Sequence, residues 1–475
     1  MTTIETEMLV IGSGAGGAVT AAMLAEAGHD VTIVEEGPHI EPGTMEPFSL
    51  EEMVTKYRHQ GGSAALGNPP VAYAEGRCVG GSTEINSGLW HRLPAHFATE
   101  WQRRFRIDEF TPEALDGYAE SVEQVLSVSR LPGAPPASSA VLENGATKLG
   151  WRSVEFTRAF RYDTGEGVKQ TMGRTFLPRA TAAGATIVAD CRVQKLLRSG
   201  DRIIGVKASR TRPEGGTEPV TIMADHVFVC GGAIQSPALL QRSGIRRNIG
   251  NGLKLHPTIK IAARMPYALD HGDVAMHRVT EFSPDLAIGG SVGRRGHVAL
   301  ALAESGNEAG NDEALADWER FGIYYAAIRS EGSGRVLAVP GVASPVVTYR
   351  LTEGDMSKLT RGLVHLGELL LAAGATELYP SVVKGEVVRS TDELVQWWGS
   401  VTRARTNLMT IHITSSIRMG EARDLTGTDS YGAVWGLENL RVNDASLVPD
   451  APGINPQATI MSIAARNTAQ FLAGR

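Results

Sequence analysis

Apolar runs separated by glycine-rich stretches divide this chain into elements. Residues 8–11 form an unbroken apolar run of the kind a fully buried strand needs. Gly12-Ser13-Gly14-Ala15-Gly16-Gly17 follows, and small apolar residues over 18–27 then predict a helix that Gly28 stops. Residues 31–34 predict a second strand, closing on Glu35. Residues 38–110 are rich in Gly and Pro and read as extended loop, and 112–128 is an amphipathic helix. Short strand-like pieces at 186–188, 193–197, 203–208 and 220–223, with turns at 199–201 and 214–216, predict a small β-meander. A further apolar strand at 227–230 ends on Gly231-Gly232.

The texture changes after residue 258. Strand-like pieces at 259–263, 323–328 and 346–350 alternate with polar loops, and 355–373 is a long amphipathic helix. The last 65 or so residues return to a glycine-rich, polar character. One β-α-β unit, a meander and a returning strand is an arrangement of flavin-nucleotide folds, whereas plain nicotinamide folds continue βαβαβ. The expected fold is therefore α/β, with a discontinuous Rossmann-type domain from residues 1–100, 166–258 and 406–475. Residues 101–165 would be a substrate-domain or lid insertion, and 259–405 a second α+β domain built on an antiparallel sheet.

Gly12, Gly14 and Gly17 satisfy G-x-G-x-x-G between a strand and a helix, where a pyrophosphate can meet unpaired N–H groups. Glu35 stands about 20 residues on, where a ribose-binding acid belongs. Gly80-Gly81-Ser82, with Asn86 close behind, offers a second backbone nest for an anion or an ordinary surface turn. At Gly231-Gly232 the sequence again reads strand, turn, helix, with Ser236 as cap, Pro237 in the first turn and Gly244 as the stop. A polar segment at 412–420, then Asn443-Asp444, then Gly453-Ile454-Asn455-Pro456, carries the remaining chemistry.

Bulk properties narrow the partners. A length of 475 residues allows two or three domains, and a formal charge of −6 argues against nucleic acid. Three separated cysteines suggest neither a disulfide framework nor a zinc site, so no metal is expected. No apolar stretch is long enough for a transmembrane span, and no signal peptide is evident, so the expected location is cytoplasmic. Residues 101–106 (Trp-Gln-Arg-Arg-Phe-Arg) leave peripheral membrane contact open.

Together these blocks resemble the glucose–methanol–choline (GMC) oxidoreductases, a family of FAD-dependent enzymes acting mainly on alcohols. The matching stretches are 7–37, 75–92, 225–257 and 405–470, and residues 321–376 are similar to the long-chain alcohol oxidase branch. The ending through Gly453-Ile454-Asn455-Pro456 is similar to that of cholesterol oxidases. The resemblance implies that Gly12, Gly14, Gly17 and Glu35 hold the ADP half of FAD. Gly80, Gly81 and Ser82 would lie along the pyrophosphate and flavin, and Val193 would offer its backbone to adenine. Asp444 would contact the ribityl or phosphate region, and Asn86 would approach the isoalloxazine. Gly231 and Pro456 would complete the cofactor contacts. His412 corresponds to the catalytic histidine, and Asn455 to its His-or-Asn partner.

Chemistry supports the last pair independently. An alcohol gives up hydride only as its hydroxyl proton leaves, and histidine suits that task near neutrality. An amide beside it can hold the oxygen without competing for the proton. Where relatives follow the histidine with Pro and Gly, this chain has Ile413, Ser415 and Ser416; Arg246 replaces a further expected Gly. Ile85 occupies the position where covalent flavoproteins of the family can carry a histidine, so FAD should be non-covalent. The expected activity is oxidation of a hydrophobic long-chain or sterol-like alcohol, with oxygen or a quinone-type carrier as electron acceptor. Leu89, Trp90, Leu93 and Phe97 would line its pocket, and His256 would be structural. The alternatives are an FAD-containing hydroxynitrile lyase and a non-catalytic flavin-binding redox sensor.

Overall fold

The computed structural model describes residues 2–163, 165, 167–269, 276–306 and 308–474, without the side chains of 308–310. Its first sheet has seven strands. The strand Thr2–Ile11 lies between Val31–Val34 and Thr217–Val229, all parallel, with Thr186–Val188 outside Val31–Val34. On its far side Thr217–Val229 pairs antiparallel with Arg202–Thr211, which pairs with Cys191–Ser199. Its last three residues instead run parallel to Leu440–Val442, a strand supplied by the end of the chain.

Two expected strands, 220–223 and 227–230, are thus one continuous strand of 13 residues. No turn interrupts it because Thr2–Ile11 pairs with it from Val220 to Val229, passing over the polar triplet Ala224-Asp225-His226. Tertiary pairing overrides the local polar break. The helix expected at 112–128 ends at Val125.

Gly12 has φ +104°, and a Cβ there would meet the Cys230 carbonyl oxygen at 2.4 Å. From that turn the helix Ala15–Glu26 departs, and a Cβ on Gly16 would meet the Asn443 carbonyl oxygen at 2.1 Å. The helix therefore touches the C-terminal segment backbone to backbone. Asn443, buried, fastens the contact: its amide donates to Thr20 Oγ1 (2.8 Å), the Ala464 carbonyl (3.1 Å) and Thr468 Oγ1 (3.2 Å).

The second sheet has nine strands and is largely antiparallel, with the order Ser63–Ala65, Val71–Tyr73, Leu408–Thr410, Thr258–Arg264, Phe321–Ile328, Leu286–Gly290, His277–Val279, Ser153–Glu155. Glu377–Pro380 also pairs with Thr258–Arg264. Strands from 63–73 and 153–155 thus join a sheet otherwise built from residues after 257. The helix Glu353–Ala373, opened by a Thr352/Asp355 capping box, lies on this sheet. Gly362 makes the close approach possible, since a Cβ there would meet Leu286 Cδ1 at 2.8 Å and Ala326 Cβ at 3.0 Å.

The candidate membrane patch is corrected. Trp101 and Phe105 are fully buried in the core beside the first sheet, because they share the inner face of the helix Ala95–Phe105. The arginines of that segment are exposed and Gln102 is partly so. Among the described residues no helix is long and apolar enough to cross a membrane, and no cluster of metal-ligating side chains occurs.

Asn443→Ala should lower unfolding stability by about 1–3 kcal/mol, because it strips partners from several buried polar groups at once. Urea denaturation of the FAD-loaded protein measures this; an unchanged midpoint would show that the helix and the chain end are held together by other contacts.

Candidate active site

The nucleotide cradle is built from backbone. Gly14 occupies the N-cap position of Ala15–Glu26, no side chain caps that end, and its first turn has no acidic residue. The leading N–H groups are therefore available to an anion. Across from it stands the second glycine turn: Gly81 has φ +58°, and a Cβ there would meet Gly14 Cα at 2.8 Å. Ser13 links the two turns, since its Oγ accepts from Gly80 N–H (3.0 Å) while donating to Glu35 (2.7 Å). Two bare glycine loops in contact, one at a helix N-terminus, fit a pyrophosphate.

Glu35 is buried and accepts from Ser13 N–H (3.1 Å), Ser13 Oγ and Gly37 N–H (2.9 Å). Burial pushes its carboxyl above the usual range, opposed by those bonds. Three bonds leave one of its four lone-pair sites for a ribose hydroxyl. Val193 lies on the strand beginning at Cys191, whose N–H bonds the Glu35 carbonyl (2.8 Å). The Ser82 hydroxyl accepts from Gly76 N–H (2.9 Å) and so braces its own turn.

Asp444 also has a bracing role that the sequence did not suggest. Its carboxylate accepts from Gly232 N–H (2.8 Å), Ser236 Oγ, Ser446 N–H (2.8 Å) and Ser446 Oγ. With four protein donors it ties the Gly231 turn to the C-terminal segment. Ser236 is accordingly not a helix cap: the helix runs Gly232–Arg242 with Pro237 inside it, and Ser236 Oγ accepts from Gly231 N–H (2.9 Å). Asn86 Nδ2 donates to Gln457 Oε1 (2.6 Å), which places the second glycine turn beside the helix that follows Asn455 and Pro456.

Strand register assembles the catalytic end. Ile413–Thr414 pairs antiparallel with Asn251–Leu255, matching Ile413 to Leu255. The next residues on each strand, His412 and His256, therefore meet, and their Nδ1 atoms lie 3.0 Å apart. His256 Nε2 in turn accepts from Gly453 N–H (3.1 Å). Ser415 has φ +74°, a left-handed conformation that glycine adopts more readily than serine.

His412, His256 and Asn455 line one small cavity. Its other walls include Arg278, Tyr325, Arg329, Ala287 and Ala327. Leu89, Trp90, Leu93 and Phe97 do not line it; Trp90 instead donates to Glu123 (2.7 Å) and Phe97 stacks on Trp101. Arg278, Arg329 and Tyr325 stand in the lining beside its apolar residues, so the expectation of an apolar pocket is met only in part, and the lining holds no acidic side chain among the described residues.

All three imidazoles at this site are held neutral. Burial, then the Arg278 charge, lowers His412 to about 4. Burial lowers His256 well below 6.5, and the Arg278 and Arg329 charges act the same way. His91, packed edge-on against Phe156 and next to Asn455, falls to about 3 through burial and the Arg278 charge. Sequence reading passed over His91 and treated His256 as structural, because strand register sets both positions.

Comparison with known proteins identifies the family. The GMC oxidoreductase N-terminal family profile matches residues 7–258, and the C-terminal profile matches 334–464. An uncharacterized GMC-type oxidoreductase of Sinorhizobium fredii is 39% identical over 98% of this chain and 94% of its own. A long-chain-alcohol oxidase of Arabidopsis thaliana is 27% identical over 97% of this chain and 66% of its own. The solved structure of pyridoxine 4-oxidase from Mesorbium loti superposes with a TM-score of 0.71 over 98% of this chain and 99% of that one. At 18% identity it speaks for the fold alone. The chain belongs to the GMC oxidoreductase family, and is an FAD-dependent oxidoreductase acting on alcohols or related CH–OH donors.

Proposed function

We propose that the chain oxidises a compact, polar alcohol to an aldehyde or ketone, with His412 taking the hydroxyl proton and Asn455 orienting the oxygen. The observation that carries this reading is the convergence of His412, His256 and Asn455 on one cavity. FAD, when bound, supplies the two-electron acceptor; proton handling and orientation fall to the chain. A neutral imidazole is the form that can accept a proton, and burial beside Arg278 keeps His412 in that form.

Its neighbour fixes how. Because His256 Nε2 accepts from Gly453, a neutral His256 carries its hydrogen on Nδ1 and donates it to His412 Nδ1. That leaves the His412 hydrogen on Nε2, where it can bond the substrate oxygen. Proton uptake at His412 Nε2 requires the opposite tautomer of both rings, and hence release of the Gly453 bond. The two imidazoles and the Gly453 peptide act as a unit, with His256 as a positioning residue. FAD would be non-covalent, since the buried, apolar Ile85 stands beside Asn86. The relatives named long-chain-alcohol oxidases favour a hydrophobic alcohol, but a cavity walled by two arginines, a tyrosine and imidazoles favours a smaller, polar one.

Three outcomes follow. His412→Ala should slow anaerobic flavin reduction by alcohol about 10²–10⁴-fold while keeping its FAD; an unchanged rate removes His412 as the proton acceptor. Acid denaturation should release FAD to the supernatant, whereas a yellow pellet would indicate a covalent link. The third concerns pH. Unfolded imidazoles take up protons near 6.5, but folded His412 and His91 do so only near 4 and 3. Between these values the unfolded chain binds more protons, so stability should fall as pH drops below about 6.5. Urea midpoints that do not change from about pH 7 to about pH 5 would contradict this.

A further inference from the structure

The cavity contains a cation with no counter-charge among the described residues. Arg278 is only 7% exposed, and its Nε is buried with no hydrogen-bond partner. One of its terminal nitrogens donates to the Gly453 carbonyl (2.9 Å), and no carboxylate among the described residues pairs with it. The second cavity arginine, Arg329, donates from Nε to the Ala451 carbonyl (3.0 Å), lies over the Phe97 ring, and has Glu100 at 3.9 Å. A charged guanidinium costs a great deal to bury without an anion. Pinning the loop at Gly453 does not explain the charge, because a neutral amide could donate to that carbonyl equally well.

The sheet makes room for this charge. Arg278 is registered opposite Gly289, which is itself opposite Tyr325. A Cβ on Gly289 would meet the Tyr325 hydroxyl at 2.7 Å, so the glycine leaves space for both polar groups. The positive end of the cavity therefore lies on the second sheet, while His412 and Asn455 come from the C-terminal segment.

We propose that the substrate is a hydroxy acid: its carboxylate pairs with Arg278, with Tyr325 and Arg329 beside it, while its hydroxyl meets His412 and Asn455. This rests on the oxidation reading and narrows its substrate class. The carbinol C–H gives a hydride to FAD, the O–H gives its proton to the imidazole pair, a C=O bond forms and the carboxylate is unchanged. The product is an oxo acid. Arginine suits the task because its planar fork matches a carboxylate.

The test uses the FAD-loaded enzyme. Small hydroxy acids and their methyl esters are compared as anaerobic reductants, and non-oxidisable carboxylates (acetate, benzoate) are titrated against the flavin absorbance. Expected results are at least a tenfold preference for acid over ester, a saturable spectral change with carboxylate, and a tenfold or greater loss of both in Arg278→Gln. Arg278→Lys, which keeps the charge, should retain carboxylate binding in part. If Arg278→Gln fails to bind FAD, the wild-type ester comparison and carboxylate titration decide alone. Neutral alcohols reducing the flavin as well as or better than acids, with no carboxylate perturbation, would overturn the proposal and leave alcohol oxidation standing. Carboxylate binding without reduction by any alcohol would instead remove the oxidation reading.

Discussion

Everything at this site depends on the end of the chain packing backbone to backbone against its beginning. Gly16 meets the Asn443 carbonyl with no room for a side chain, and Asn443 is hydrogen-bonded into both helices that flank it. Asp444, next in sequence, joins the Gly231 turn through four donors. The same segment that completes the nucleotide cradle thus leads, within a dozen residues, to Gly453 and Asn455. On the proposed reading, one continuous segment therefore joins the cradle to the proton-handling groups, as positioning of a reacting carbon requires.

Around Gly453 this continuity becomes chemistry. Its N–H goes to His256 and its carbonyl receives Arg278, so one peptide joins the imidazole pair to the cationic wall. The arginines help keep the imidazoles neutral, which suits proton acceptance, and Arg278 creates a demand for an anion that no described residue meets. Both effects come from burying the Arg278 charge with no carboxylate partner among the described residues. The resulting cavity is more polar than the names of the alcohol oxidases in its family would suggest.

Much of the frame was legible in the sequence. The glycine turn, Glu35, the return strand ending at Cys230 and the Asn443 and Gly453 segments all rest on backbone requirements that few residue types satisfy. What could not be read depends on register. Nothing local tells that Leu255 pairs with Ile413, and only that pairing puts His256 against His412. Arg278 and Tyr325 are likewise brought together across Gly289 by three strands. Trp101 and Phe105 misled for another reason: aromatic and basic residues alternate identically on a membrane-facing helix and on one whose aromatics face inward. The polar break inside Thr217–Val229 misled because pairing with Thr2–Ile11 outweighs local propensity.

The central claim is that the His412–Asn455 cavity opens onto the reacting face of the flavin. A crystal structure of the FAD-loaded protein with a non-oxidisable carboxylate tests it most directly. The account predicts His412 Nε2 and the Asn455 amide facing the central nitrogen of the isoalloxazine, with one small molecule between them and reacting atoms roughly 3–3.5 Å apart. A flavin ring seated away from these side chains, or a ligand bound with its carboxylate turned from Arg278, would contradict it.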